Sequence, residues 1–427
     1  MTELLAIETA WSPPDNIITA ARERMLQEKY KTEGEEIRGL VIVMKLTGAC
    51  NIKCSYCYAT PELIGGNTST DLAINTIAHA AYSHSGPIVI DLHGGEPLLM
   101  FDRIKTIVED TEQRPYAWRV RFNIQTNALL LNRHIARYLH THNISIGISL
   151  DGRGDVNDIL RKDHDGKGTF DRAMKAIEML REENIPFGVI SILTKVNHDK
   201  VIEMFEFYKE LNLTVVMCNA LSLSGRGNGK IHLLPSPIEY FESSKRILDW
   251  MIEHNSTNET PMYEWDLSLM VQRVAGILNP AETVCHNSPC GIGKETISVT
   301  PDGSVYPCDW LVGLNEYNMG NIKEQSLNDI MRNNGVLDQL RIPHTERVLE
   351  CRECELNTIC NGGCLARNIL AYGREGITRV AGMCAYYMQI LPYIKSLLEQ
   401  GVELSHISYP KDGIQPPFDS EDGCFVD

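Results

Sequence analysis

Leu46-Thr47-Gly48-Ala49-Cys50-Asn51-Ile52-Lys53-Cys54-Ser55-Tyr56-Cys57-Tyr58 carries three cysteines in the spacing C-x3-C-x2-C. Three thiolates on one short loop can each take one iron of a cubane four-iron four-sulfur cluster, leaving the fourth iron without a protein ligand. That open iron is a place for a small molecule to bind. A structural zinc site, the plainer reading, closes with four ligands, usually in C-x2-C pairs, and this loop offers no fourth Cys or His. Just upstream, Leu40-Val41-Ile42-Val43-Met44 is an apolar, β-branched run, so the thiols follow a strand end.

The 427-residue chain is too long for one small core and suggests a large domain with an appended one. With 43% hydrophobic and 22% charged residues it has the composition of a soluble globular protein. No apolar run reaches membrane-spanning length, and Met1-Thr2-Glu3-Leu4-Leu5 lacks the blocks of a signal peptide. A cytoplasmic protein is expected. A net charge of -16 opposes a polyanion, which argues against nucleic acid as a partner. Thirteen cysteines in a cytosolic chain point to metal rather than disulfides.

Residues 1–38 are polar; Ser12-Pro13-Pro14-Asp15 is a helix start, and Ile18, Ala21 and Met25 then share one face, as in a helix packed on the main domain. From 39 to about 220, apolar runs alternate with amphipathic stretches. Strands are expected at 40–44, 88–92, 120–124, 144–150, 187–193 and 213–218, with helices near 70–84, 101–112, 130–142, 169–184 and 198–211. Strands this continuously apolar belong in a parallel sheet covered by helices. Ser224-Gly225-Arg226-Gly227-Asn228-Gly229-Lys230 looks like a phosphate loop but lacks the G-x4-G-K-[ST] order, and is expected to be a flexible loop leaving the barrel. Helical stretches at 237–254 and 263–278 then bridge to a second region dense in cysteine.

The triplet, Tyr56 within it and the motifs at later strand ends resemble the radical S-adenosylmethionine (SAM) enzymes. The resemblance implies an α/β fold, a partial (β/α)6 TIM barrel with function at the carboxyl ends of its strands. It also implies that Cys50, Cys54 and Cys57 hold a 4Fe-4S cluster whose open iron is chelated by SAM, which is cleaved to a 5'-deoxyadenosyl radical. His93-Gly94-Gly95-Glu96-Pro97 resembles the family's GGEP motif, in which the Gly94–Gly95 backbone and Glu96 would hold the methionyl amino group. Gln125-Thr126-Asn127 and Ser149-Leu150-Asp151-Gly152 resemble members that modify peptides and proteins, so that Gln125, Thr126, Ser149 and Asp151 are candidates for the ribose or the substrate. By the same resemblance Arg161, in Asp158-Ile159-Leu160-Arg161 ahead of Gly166-Lys167-Gly168-Thr169-Phe170, pairs with the SAM carboxylate. Tyr56 joins the SAM-contacting set, as does Leu193, which with Ile192 could wall the adenine or simply pack the core.

Downstream, Cys290-x12-Gly303-x4-Cys308 is followed by C-x2-C-x5-C-x3-C from Cys351 to Cys364 and then Cys384. Order and spacing resemble the SPASM extension, which binds two auxiliary 4Fe-4S clusters; a pair of zinc ribbons is the plainer alternative. The resemblance implies Cys285, Cys290, Cys308 and Cys364 at the first, with Cys285 the most variable in spacing, and Cys351, Cys354, Cys360 and Cys384 at the second. Cys218 and Cys424 are left over. Val305-Tyr306-Pro307-Cys308-Asp309-Trp310 resembles the corresponding stretch of anaerobic sulfatase-maturating enzymes and makes Asp309 the candidate catalytic base, its pKa expected to be raised beside an anionic cluster.

The expected organisation is a helical extension over 1–38, a radical SAM barrel over 39–235, a helical bridge over 236–280, a SPASM domain over 281–395 and a tail over 396–427. The expected function is maturation of a ribosomally made peptide through a carbon-carbon or thioether crosslink. The alternative is oxidation of Cys or Ser to formylglycine in a sulfatase, while a non-catalytic electron carrier would not need the SAM motifs. Expected partners are a peptide or protein substrate, an electron donor such as flavodoxin or ferredoxin, and a separate peptide-recognition protein.

Overall fold

The computed structural model describes residues 31–32, 35–36, 39–278, 285, 290–332 and 334–409. The helix expected after Ser12 and the leftover Cys424 lie outside them. Six strands follow in chain order: β1 Leu40–Thr47, β2 Ile88–Gly94, β3 Val120–Thr126, β4 Ser145–Ser149, β5 Gly188–Leu193 and β6 Val215–Ala220. Helices α1 Thr70–Ser83, α2 Phe101–Glu112, α3 Arg133–Thr141, α4 Phe170–Glu182 and α5 Val201–Glu210 connect them. Each strand pairs in parallel with the next.

Side chains alternate across a strand, and here the two faces differ in kind. Leu40, Ile42, Met44 and Leu46 of β1 and Ile88, Ile90 and Leu92 of β2 pack with Leu72 and Ile77 of α1 and Ile104 and Ile107 of α2 in the main core. The intervening positions carry Lys45, Thr47, Asp91, His93, Asn123, Gln125 and Ser149, which face the inside of the sheet's curve. Burying each Leu or Ile contributes about 1.5–3 kcal/mol, so a slip of one residue, which would exchange the faces, is strongly disfavoured.

Three successive helices stop in the same way. Asn143, Asn184 and Asn212 adopt left-handed backbone with φ of 50°, 54° and 58°. The next residue then bonds back over the helix end: Ile144 to the Leu139 carbonyl (2.8 Å), Ile185 to Leu180 (2.9 Å) and Leu213 to Tyr208 (3.2 Å). Asn tolerates this conformation better than other side chains, and the buried residue after it closes the cap.

The sheet continues past both ends of the six strands. β7 Tyr263–Glu264 pairs in parallel with β6, and β8 Thr296–Val299 pairs in parallel with β1 on the opposite side. β9 Ser304–Tyr306 and β10 Gly320–Asn321 then add antiparallel. The order is β10-β9-β8-β1-β2-β3-β4-β5-β6-β7, with no pairing among the described residues to close it, so the barrel is open and partial.

Helix α6 Pro237–Thr257 begins with a capping box between Ser236 and Glu239 and a proline at its first turn. With α7 Trp265–Val274 it packs on α9 Cys384–Glu399, the helix that follows α8 Leu365–Tyr372; Tyr240 meets Tyr386 edge-on at 4.9 Å. The tail expected from 396 is instead folded as far as Tyr409. The His406 carbonyl accepts from Asn255 (2.9 Å), that of Ser405 accepts from Tyr263 Oη (2.7 Å), and Tyr409 stacks on Trp265 at 5.0 Å.

Candidate active site

The cysteine loop leaves β1 and is gripped from two sides. From β2, Gly95 N–H donates to the Thr47 carbonyl (2.7 Å) and Glu96 N–H to that of Ala49 (2.9 Å). A Cβ on Gly94 would stand 2.4 Å from Thr47 O, and one on Gly95 2.1 Å from Ala49 O. Both glycines are therefore needed to let the strand end lie on the loop. From the other side Arg226 donates its backbone N–H to Cys57 O and its Nε–H to Cys54 O, both at 2.8 Å. A Cβ on Gly225 would come within 2.5 Å of Tyr58 O. The segment 224–230, expected to be a flexible loop, is thus a clasp; glycine provides close approach here rather than freedom.

Cys54 is buried, and Cys50 and Cys57 are half-buried. Burial pushes the Cys50 thiol up to about 11 and the Cys54 thiol up to about 12, and the neighbouring thiols add to both. Only a strong cation would hold Cys50 and Cys54 as thiolates. Among the described residues no three His, Cys, Asp or Glu side chains converge on a point that one metal ion could fill. Three thiols on one loop fit a cluster whose irons are each bound by a different sulfur.

Around the loop the strand ends supply polar groups. Glu96 is fully buried: Oε1 accepts from Leu98 N (3.1 Å) and Thr126 Oγ1 (2.7 Å), and Oε2 accepts from Asn127 N (2.9 Å). A carboxylate has about four acceptor positions, so one remains for an ammonium. Asn127 Nδ2 also reaches Asn51 Oδ1 (2.8 Å) and lies 3.7 Å from Cys50 Sγ. Gln125 Nε2 donates to Ser149 Oγ (2.8 Å), while the buried Gln125 Oε1 has no partner among the described residues. That orphaned acceptor fits a hydroxyl donor such as a ribose offers.

Tyr56, Asp151 and Arg161 form a buried set. Tyr56 Oη donates to Asp151 Oδ2, Arg161 Nη1 donates to Tyr56 Oη (2.7 Å), and Asp151 Oδ1 accepts from Ile192 N (2.9 Å). Asp151 thus braces the cysteine loop against β5 and has little left for a ribose. Arg161 hydrogen-bonds through Nη1 alone among the described residues, which leaves most of its fork for an anion. Leu193 does not join this site. It is 1% exposed and lies in the outer core, whereas Ile192 packs on the cysteine-loop cluster of Ile52, Tyr56 and Leu221. The alternation of β5 turns one residue in and the next out, so of the expected pair only Ile192 borders the cysteine loop, and Leu193 packs the core.

The downstream cysteines gather in two groups. Cys285 stands within electrostatic reach of Cys290, Cys364 and Cys308, and Cys308 of Cys364 and Cys290. The half-buried Cys290, Cys308 and Cys364 pack on Ile292, Leu311 and Leu365. Cys351, Cys354, Cys360 and Cys384 line one small cavity with His344, Tyr387 and Met388. Each group offers four thiols, as a closed cluster requires.

Asp309, beside Cys308, reaches back to the barrel. Its Oδ1 lies 2.6 Å from Lys45 Nζ and accepts from Ser298 Oγ (3.1 Å), and its Oδ2 accepts from Tyr58 Oη (2.5 Å). His93 Nδ1 accepts from Gly94 N (2.8 Å) and lies 3.2 Å from Lys45 Nζ, while Nε2 lies 3.2 Å from Tyr58 Oη. Because Gly94 N–H can only donate, the hydrogen-bond network assigns the ring proton to Nε2. Burial and Lys45 push the His93 imidazole down to about 4. For Asp309, burial pushes upward, but the Lys45 ammonium and His93 outweigh it and hold the carboxyl below its usual range. The raised pKa expected for Asp309 is therefore not what these neighbours produce, because a buried lysine faces it.

Residues 44–208 match the model of the radical SAM superfamily, and residues 290–355 match that of SPASM, an iron-sulfur cluster-binding domain. The chain is a radical SAM enzyme with a SPASM domain. It is 24% identical over 339 residues to the cysteine-type anaerobic sulfatase-maturating enzyme of Clostridium perfringens, covering 76% of this chain and 88% of that one. The structure of native anSMEcpe with bound AdoMet superposes with a TM-score of 0.73 at 20% identity, over 84% of this chain and 99% of that one. Streptococcus suis SuiB bound to precursor peptide SuiA gives 0.64 at 19% identity, over 88% and 82%. These likenesses show the shared fold. The enzyme uses SAM and 4Fe-4S chemistry, with further clusters in the SPASM domain. No described helix is long and apolar enough to cross a membrane.

Sequence reading of this radical SAM enzyme passed over Lys45, Asp91, His93 and Tyr58. For the first three the signal was present: Lys45 interrupts the apolar run Leu40–Leu46, and Asp91 and His93 alternate with Ile90 and Leu92 at a period of two. Arg226 gave no such signal, since its task is set by backbone carbonyls far away in sequence.

Proposed function

We infer that this radical SAM enzyme oxidises a side chain within a ribosomally made peptide, joining it to a second group by a carbon-carbon or thioether bond. The observation that carries the oxidative part of this reading is Asp309, a carboxylate beside Cys308 that contacts the cysteine loop of the barrel through Tyr58. Cys50, Cys54 and Cys57 would hold the SAM cluster, Cys285, Cys290, Cys308 and Cys364 the first auxiliary cluster, and Cys351, Cys354, Cys360 and Cys384 the second. When bound, these groups supply hydrogen-atom abstraction from an unactivated carbon and an acceptor for the remaining electron. Glu96 offers its free acceptor position to the SAM ammonium, Arg161 its fork to the carboxylate, and Gln125 with Ser149 their polar atoms to the ribose. Asp309 takes the proton that the substrate loses as the new bond forms. A flavodoxin or ferredoxin would supply electrons, and a separate protein could deliver the peptide.

SuiB, of the same fold, was solved with a precursor peptide, which supports a peptide substrate. A second reading, formylglycine formation, is favoured by the sulfatase-maturating relatives and by the same Asp309. The product separates them. Reduced enzyme, SAM and a candidate precursor should give a mass loss of about two units, two hydrogens, without an aldehyde. A hydrazide-reactive product from a sulfatase-derived Cys or Ser peptide at many turnovers would establish the second reading and overturn the first.

A further inference from the structure

Lys45 is 0% exposed in the middle of an otherwise apolar strand, and its ammonium is set against three groups at once. It lies 2.6 Å from Asp309 Oδ1, 3.2 Å from His93 Nδ1 and 5.0 Å from the centroid of the Tyr58 ring. A charge so placed is costly unless paired, and sheet stability alone would favour another Val or Ile at this position. The pair is also lopsided. The Lys45 side chain is 1% exposed and that of Asp309 14%, with Tyr58 and His93 half-buried beside it. The cation is therefore sealed behind a carboxylate that keeps some exposure of its own.

The hydrogen bonds run in one direction. Gly94 and Lys45 donate to His93 Nδ1, His93 Nε2–H donates to Tyr58 Oη, and Tyr58 O–H donates to Asp309 Oδ2, while Lys45 and Ser298 donate to Oδ1. Every donor fixes the next, and the series ends on Asp309, which keeps one acceptor position unused. We propose that Lys45, acting with His93 and Tyr58, is a positioning residue that holds the Asp309 carboxylate in a single orientation as the acceptor for the proton lost by the substrate. This role rests on the oxidising reading above and adds to it Lys45 on β1 and His93 on β2. The step it serves is balanced: the substrate loses one hydrogen atom to the deoxyadenosyl radical, one electron to the auxiliary centre and one proton to Asp309, and gains one bond.

The test measures modified peptide and 5'-deoxyadenosine together, in holoenzyme of equal iron content. Misplacing an acceptor costs on the order of a hundredfold, so Lys45→Met should lower product by roughly that factor while SAM cleavage stays within about twofold. Lys45→Met/Asp309→Asn should be no worse than Asp309→Asn alone, because both changes disable one device. Product per SAM cleaved equal to wild type, losses that multiply in the double variant, or equal losses of product and cleavage would each overturn the proposal. If Lys45→Met does not fold, Tyr58→Phe, which removes one hydroxyl and keeps the ring, must show the same split or the proposal falls. Wild type that cleaves SAM but oxidises no peptide would overturn the maturase reading and this role with it, whereas wild type that works and variants that match it would sink only the role of Lys45.

Discussion

Asp91 shares the buried space of Lys45 and Asp309, and it is the group left over in that arrangement. Lys45 is committed to Asp309, so burial and the Asp309 charge push the Asp91 carboxyl up to about 7, with Lys45 only partly opposing them. A carboxyl raised on folding binds more protons in the native state than in the unfolded one, so stability falls as pH rises from the ordinary carboxylate range to about 7. Asp91→Asn should remove that slope: thermal melts should match wild type near pH 4 and exceed it at pH 7.5. A variant that melts below wild type at pH 7.5 would show that the charged form is being used. At this scale the sequence was a partial guide. Glu96, Gln125 and the cysteines announced themselves by motif, whereas Lys45, Asp91 and His93 could be found only by reading every second residue of β1 and β2 as an interior face. Arg161 and Asp151 were picked out as candidate site residues, yet their bond to Tyr56 depends on three segments meeting, which no local pattern encodes.

Among the elements, the strand–helix units were the most legible, because apolar runs and amphipathic periods repeat five times with little interruption. What the periods did not reveal was which side of β5 meets the cysteine loop; of Ile192 and Leu193, only Ile192 packs there. The Asn-capped helix ends make a quantitative test of why these units hold. Left-handed backbone costs a residue with a Cβ about 1–2 kcal/mol, and Asn less, so Asn184→Ala should lower the unfolding free energy by about 1 kcal/mol. Asn184→Gly should leave it within a few tenths of that of wild type. Urea titrations of the two variants distinguish a conformational cap from a side-chain contact, since in the latter case both would lose equally. The clasp at Gly225–Arg226 is the opposite kind of element. Its glycines looked like flexibility, but they are where one backbone lies on another.

For the whole molecule, the cysteine count makes a direct prediction. Three cubanes require about twelve irons in anaerobically reconstituted protein, and replacing Cys351, Cys354, Cys360 and Cys384 with Ala should leave about eight. A value near four in the intact protein would remove both auxiliary assignments. The order of the cysteine groups was legible from spacing, but their relation to the barrel was not. The SPASM segment was expected as a second domain after a helical bridge, and its strand β8 is hydrogen-bonded along β1, which extends the barrel's sheet into it.

That pairing sets a timetable for biosynthesis. Val43 and Ser298 are bonded across 255 residues of chain, so the first barrel strand leaves the ribosome long before its outer neighbour exists. At roughly 5–20 residues per second the wait is on the order of tens of seconds, during which Val41–Met44 can present an unsatisfied strand edge. A nascent chain in that condition is a natural client for a holding chaperone. Cutting the gene after the barrel would make the condition permanent, which is why the isolated barrel should self-associate rather than fold alone.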